Sequence, residues 1–192
     1  MGIAASGKIG LIAVPRRGAL PRSEAGLVRA AQRGDGAAVE ELFRRHWPAA
    51  FRAAWLVTGD RAAAEDVAQE AFLAAVRALA SFDRRRPLAP WLHRIAVNRA
   101  IDWTRARARA AETPAEHDVA GAEDAAAAAL GDDFVAALRG LSVEHRAVIV
   151  LRYLLDHTPG EIAVALDLPR GTVNSRLRRG LDALGRALEE DA

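Results

Sequence analysis

The stretch TPGEIAVALDLPRGTVNSRLRRGLDAL, residues 158–184, concentrates the side chains best suited to recognition chemistry. Thr158 and Glu161 stand three apart with Pro159 between them, the spacing at which a hydroxyl and a carboxylate cap each other's backbone N–H at a helix start. Ile162, Ala163 and Leu166 give that helix its apolar side, and Asp167-Leu168-Pro169 stops it. A second helix is predicted to begin near Arg170. At roughly 100° per residue, Val173, Leu177, Leu181, Leu184 and Leu188 fall within about 80° of arc. Ser175, Arg179, Asp182 and Arg186 lie opposite, with Asn174, Arg176 and Arg178 on the flanks. An Arg fork pairs with guanine, an Asn amide with adenine, and a Ser hydroxyl or an N-terminal amide with phosphate. A second helix with an apolar back and an Arg-bearing front is what reading the major groove requires. A solvated amphipathic helix could carry the same arginines. The complete cap, helix, turn and helix together assign a DNA-binding module.

Other chemistry finds no residues to carry it. The chain has no Cys, which excludes disulfides, thiolate zinc sites and thiol redox sensing within it. Its five histidines, His46, His93, His117, His145 and His157, are scattered with no paired ligand spacing, so no metal and no cofactor are expected. There is no phosphate-binding GxxxxGK[ST] loop and no His–carboxylate cluster. A helical enzyme would need such a constellation. The first alternative is a stand-alone regulator that binds palindromic DNA as a dimer, and a helical enzyme is the second.

Composition places these residues on helices. Of 192 residues 51% are hydrophobic and only 5% aromatic, and the sequence is rich in Ala, Leu and Arg with few β-branched runs, so the fold class is all-α. Ser23 caps a helix bearing Leu27, Val28 and Ala31. Apolar residues from Val39 to Ala54 predict a second helix over 36–57, kinked or broken at Pro48. A third runs over about 61–80, with Val67, Phe72, Val76 and Leu79 as apolar members, and a fourth from Trp91 to about Arg107 after the loop DRRRPLAP. Residues 108–133, mostly Ala, Glu, Asp and Gly, read as a flexible acidic linker. A short helix then ends near Gly140, and Ser142 caps a central one. Net charge is +2, but it is unevenly spread. Residues 26–106 carry 13 Arg against 9 acids (+4), 107–133 carry 2 against 7 (−5), and 134–186 carry 8 against 5 (+3). Two basic blocks across an acidic one suit two DNA-contacting modules on a tether. The Arg bias, with Lys8 the only Lys, is also what a GC-rich genome produces. Residues 1–22 read as a flexible extension; their short apolar stretch, broken by Lys8 and Gly10, lacks a signal-peptide core. No apolar run approaches the roughly 20 residues of a membrane span. A cytoplasmic protein without membrane insertion is expected.

The segment EIAVALDLPRGTVNSRLRR (161–179) closely resembles region 4 of the extracytoplasmic-function RNA polymerase sigma factors, a branch of the sigma-70 superfamily. AAEDVAQEAFLAAVRALASF (63–82) and PWLHRIAVNRAIDWTRAR (90–107) resemble region 2 of the same family and the helix that follows it. The resemblance covers about 24–107 and 134–188. It implies a four-helix region 2 domain over 23–107 and a helix-turn-helix region 4 domain over 134–190, with core RNA polymerase and promoter DNA as partners. An anti-sigma factor is the usual third partner, and no small-molecule substrate is implied. It also implies that Arg170, Thr172, Asn174, Ser175, Arg176, Arg178 and Arg179 read the −35 element, Asn174 standing where members often carry Lys or Arg. Asp66, Gln69 and Glu70, on one polar stripe with Arg77, would dock on the polymerase's largest subunit. Asn98, with the loop aromatic Phe82, would hold a base extruded from the −10 strand, and Arg94, Arg99 and Asp102 would flank it. Trp91 is read as core, and Arg84, Arg85, Arg86 and Arg105 as phosphate contacts.

Overall fold

The computed structural model describes residues 23–110 and 130–190. The first half is a bundle of α1 (Glu24–Gln32), α2 (Gly36–Thr58), α3 (Arg61–Ala78) and α4 (Leu88–Ala110), with a 3₁₀ turn at Leu79–Ser81. Each of the first three helices starts on a side-chain cap: Ser23 accepts from the Gly26 N–H, Asp35 from Ala38 and Asp60 from Ala63. The abundant alanines account for the packing. Ala50, Ala54, Ala64, Ala68, Ala71, Ala96 and Ala100 are wholly buried, which lets the backbones of α2, α3 and α4 approach closely. Larger side chains fill what remains, with Phe43, Trp47, Phe51 and Phe72 forming a run of ring contacts at 4.7–6.1 Å.

Pro48 does not break the helix; α2 continues for 23 residues through it. Pro48 and Arg44 both face solvent. The carbonyl that loses its i+4 donor can therefore turn to water. α4 begins at Leu88, three residues before the predicted start, and runs to Ala110.

The second half comprises α5 (Asp132–Gly140), α6 (Val143–Ile149), α7 (Pro159–Leu166) and α8 (Arg170–Glu190). Beyond Ile149 the central helix widens into a π turn, Val150–Leu154. Asp156 then takes a left-handed φ of 54°, which Asp tolerates, and turns His157 back into the core at 2% exposure. The expected Thr158–Glu161 capping box is present in both directions, and Asp167 closes α7 in the left-handed region at φ 51°. Gly180 lets α8 cross α6 closely: a Cβ there would sit 3.0 Å from Ile149 Cδ1 and 3.2 Å from His145 Cβ, so these side chains would have to give way.

The two halves share a core. One cluster of buried side chains joins Leu56, Val57, Val97 and Ile101 of the first half to Leu138, Val148, Ile162 and Val173 of the second. The two all-α domains are thus docked on each other in this structure; most of the linker between them, 111–129, lies outside the described residues. Arg146, 8% exposed, is the main polar pin. Its guanidinium donates to the carbonyls of Val57 (2.8 Å), Arg139 (2.6 Å) and Leu141 (2.9 Å). Burial, with Arg139 nearby, depresses its pKa to about 10, so it stays charged at neutral pH. The Val57 carbonyl belongs to the last turn of α2, where helical carbonyls lack intrahelical donors and a cation is favoured.

Replacing Arg146 by Met should keep the packing volume and strand three carbonyls. Each orphaned group costs about 1 kcal/mol or more, so urea unfolding should show a loss of about 3 kcal/mol. A loss within about 0.5 kcal/mol, the range of an ordinary surface change, would remove Arg146 from its anchoring role.

Candidate nucleic-acid interface

The face of α8 follows from its amphipathic pattern. Val173, Leu177 and Leu184 are buried against the core, and Arg170, Asn174, Arg178 and Arg179 are exposed. Leu181, expected on the buried stripe, is 39% exposed. Thr172, Ser175 and Arg176 are half-buried at the same end of the helix. The Ser175 hydroxyl donates to the Thr172 carbonyl at 2.9 Å, which leaves it only lone pairs for a ligand. Arg178 and Arg179 form no ion pair with another described residue. α8 therefore presents two uncommitted guanidinium groups near its middle and an amide in its second turn. Those are donors matched to base edges and phosphate.

On α4 the expected −10 residues occupy a different setting. Asn98 is half-buried, and its Nδ2 donates to the Ala165 carbonyl in α7 at 2.9 Å. Phe82 is 8% exposed and packs on Trp91 with ring centroids 4.8 Å apart. Trp91 precedes Asn98 by seven residues, about 10 Å along the helix axis. The structure does not bring Phe82 and Asn98 together around one cavity. The turn carrying Phe82 is held by Gln32, whose Nε2 donates to the carbonyls of Leu79 (2.9 Å) and Phe82 (3.0 Å). Sequence reasoning did not single out Gln32. Its acceptors are backbone atoms about 50 residues away, and no pattern encodes them.

Arg94 is half-buried and Asp102 is exposed on the same helix. Arg99 donates to Glu70 Oε2 at 2.6 Å, so one expected DNA contact and one expected polymerase contact neutralise each other. Asp66, Gln69 and Glu70 form an exposed stripe on α3. Val76, expected in the core, is 45% exposed, and it stands with Phe43 (39%) and Leu73 (55%) as an apolar patch on the same half. The i+4 step from buried Phe72 predicts burial for Val76, but the face of α3 that carries it is not covered. In the loop before α4, Arg84 and Arg86 are exposed, and Arg85 pairs with Asp83 at 3.0 Å. That pairing holds the Asp83 carboxyl below its ordinary range and raises Arg85.

A surface pair also bridges the halves: Arg105 Nη2 sits 2.9 Å from Glu144 Oε1. Burial works against ionisation of Glu144, but the Arg105 hydrogen bond and the nearby Arg105 and Arg176 charges outweigh it and hold the carboxyl low. Among the described residues, no three His, Asp or Glu side chains gather as a metal site. No described helix is long and apolar enough to cross a membrane.

Residues 42–110 match the family model described as Sigma-70 region 2, and residues 132–184 match that of Sigma-70, region 4. The chain is 31% identical over 180 residues to the ECF RNA polymerase sigma factor SigW of Bacillus subtilis, covering 85% of this chain and 95% of that protein. It is 37% identical over 168 residues to SigM of Mycobacterium tuberculosis, covering 87% and 85%. The solved structure of CnrH in complex with the cytosolic domain of CnrY matches with a TM-score of 0.67 at 29% identity, over 88% of this chain and 99% of that one. The sigma factor RpoE in complex with the anti-sigma factor NepR, from Bartonella quintana, matches with a TM-score of 0.66 at 25% identity, over 80% and 98%. Both regions match in order, and relatives above 30% identity are covered along most of their length, so the chain belongs to the extracytoplasmic-function family of RNA polymerase sigma factors.

Proposed function

We propose that this sigma factor, a recognition subunit and not an enzyme, directs core RNA polymerase in the cytoplasm by reading the −35 element with α8 and the −10 element with α4. The observation that carries the reading is the free donor face of α8, where Asn174, Arg178 and Arg179 stand exposed opposite buried Val173, Leu177 and Leu184. In this reading, residues 23–107 are the polymerase-docking and −10 half, and residues 134–190 the −35 half. Asp66, Gln69 and Glu70 meet a basic surface on the polymerase, with Glu70 exchanging Arg99 for that surface and freeing the guanidinium for phosphate. Exposed pairs of this type are worth about 0–1 kcal/mol, so the exchange is inexpensive. An anti-sigma factor is the expected regulatory partner, since the matched sigma factor RpoE was solved bound to the anti-sigma factor NepR.

Reading both elements requires the halves to part. Elements centred about 25 base pairs apart are separated by ~85 Å along B-DNA at ~3.4 Å per base pair, whereas the two halves here share one core. The 19 residues linking Ala110 to Leu130 can reach at most about 70 Å, to which the halves add their own width. Separation also frees the Asn98 amide from the Ala165 carbonyl for a base edge.

Promoter-directed transcription with core polymerase tests these assignments. Asp66→Ala with Glu70→Ala should lower competition for core enzyme at least tenfold while leaving thermal stability unchanged; competition equal to the wild type would refute the docking stripe. Arg178→Ala with Arg179→Ala should weaken promoter binding by one or more orders of magnitude, since each base contact is worth about 1–3 kcal/mol. Asn98→Ala should spare closed-complex binding and reduce strand opening. A promoter pre-melted at −10 should rescue Asn98→Ala in part and the double Arg variant little. Equal rescue of the two would make Asn98 a structural residue.

A further inference from the structure

His93 of α4 and His157, in the turn before α7, meet across the junction of the two halves. Their rings face each other with Nε2 of His157 3.4 Å from Nδ1 of His93 and ring centroids 5.7 Å apart at 71°. They are 7% and 2% exposed. A single N–H···N hydrogen bond between them needs one ring to donate and the other to accept, so the accepting ring must be neutral, and the contact is lost once that ring is protonated as well. With a proton on each nitrogen, two donors would face each other with no water to separate them. The contact joins residues 64 apart in sequence, and it runs from α4 to the turn that leads into α7, the helix that holds Ala165, the partner of Asn98.

We propose that the His93–His157 pair is an acid-sensitive latch: neutral, it holds the helix-turn-helix half docked on α4, and protonation releases it. The surroundings favour this behaviour. From α2, His46 acts on His93 and is itself paired with Glu24 of α1 at 3.1 Å. α3 meets this part of α4 through apolar Ala71, Phe72 and Ala75. Around His157 stand Asp156 in its own turn and Glu161 in α7, while Arg152 from the π turn donates to the His157 carbonyl at 3.2 Å. Burial, then His157, then His46 depress His93 from its ordinary 6.5 to about 4. Burial also lowers His157, against the opposing pull of Glu161 and Asp156. The docked form therefore binds fewer protons than the separated one. Docking is at full strength above the separated-state value near 6.5 and weakens as pH falls from there towards 4. By that linkage, His93 alone should weaken docking roughly tenfold between pH 7.5 and 5.5. The latch goes beyond the promoter-reading proposal and does not depend on it, because docking can be followed without DNA.

The absence of native Cys permits a clean test in the full chain. Cysteines introduced at exposed Leu73 in α3 and Val164 in α7 would carry a pair of distance probes. Between pH 7.5 and 5.5 the wild-type background should shift from a single short distance to a mixture with a long one, with helical circular dichroism unchanged. His93→Gln with His157→Gln, two neutral side chains able to hydrogen-bond, should hold the short distance at both pH values. Should that pair fail to fold, His157→Gln alone should show a reduced pH response. A wild-type distance that does not change with pH, or glutamine variants that keep the full response, would overturn the latch.

Discussion

The carbonyl end of α2 is the point from which the arrangement of the molecule follows. A helix terminus buried under another domain must have its carbonyls satisfied. Gly59 returns one donor, its N–H reaching the Trp55 carbonyl at 2.8 Å. The Val57 carbonyl is met by Arg146 from α6, and the Arg139 guanidinium lies 5.3 Å from the Trp55 ring centroid. With α6 fixed against α2, α7 is laid along α4. The Asn98–Ala165 bond and the histidine pair follow from that placement.

The contacts between the halves divide into two energetic kinds. Arg146, Val57, Val97, Val148 and Ile162 lie buried, and their loss leaves orphaned carbonyls or bare apolar surface. Arg105–Glu144 across the junction and Arg99–Glu70 within the first half are solvent-exposed and exchangeable at little cost. A protein that must open on its partner needs this mixture. The buried contacts define one docked geometry, and the surface ions are free to be recruited by polymerase or DNA. The donor face of α8 stays exposed throughout, while the amide of Asn98 is engaged as long as the halves are together.

Local features were legible in the sequence because they are encoded within a few residues. The Thr158–Glu161 capping box, the turn at Asp167, the Ser23 and Ser142 caps and the buried stripe of Val173, Leu177 and Leu184 all appear as the spacing implies. The docking of the halves was not legible. Arg146 looks like one more surface arginine, and its acceptors are backbone carbonyls, one of them 89 residues away. His157 looks like a loop polar residue until the left-handed Asp156 turns it inward. Pro48 signals a break that does not occur, for the converse reason: a proline whose carbonyl partner faces water can remain in a helix. Val76 fits the apolar period of α3 yet lies on a face that α2 and α4 leave uncovered.

The central claim is that one chain passes from a docked form, in which α4 and α7 touch, to a separated form in which α4 and α8 lie on distant DNA elements. The most direct test is the distance between probes on α3 and α7 in the free protein and in the complex with core polymerase on promoter DNA. The account predicts a short distance in the free chain at neutral pH and, on the promoter, a separation of several tens of ångströms, as elements ~85 Å apart demand. The same short distance in both states would contradict it.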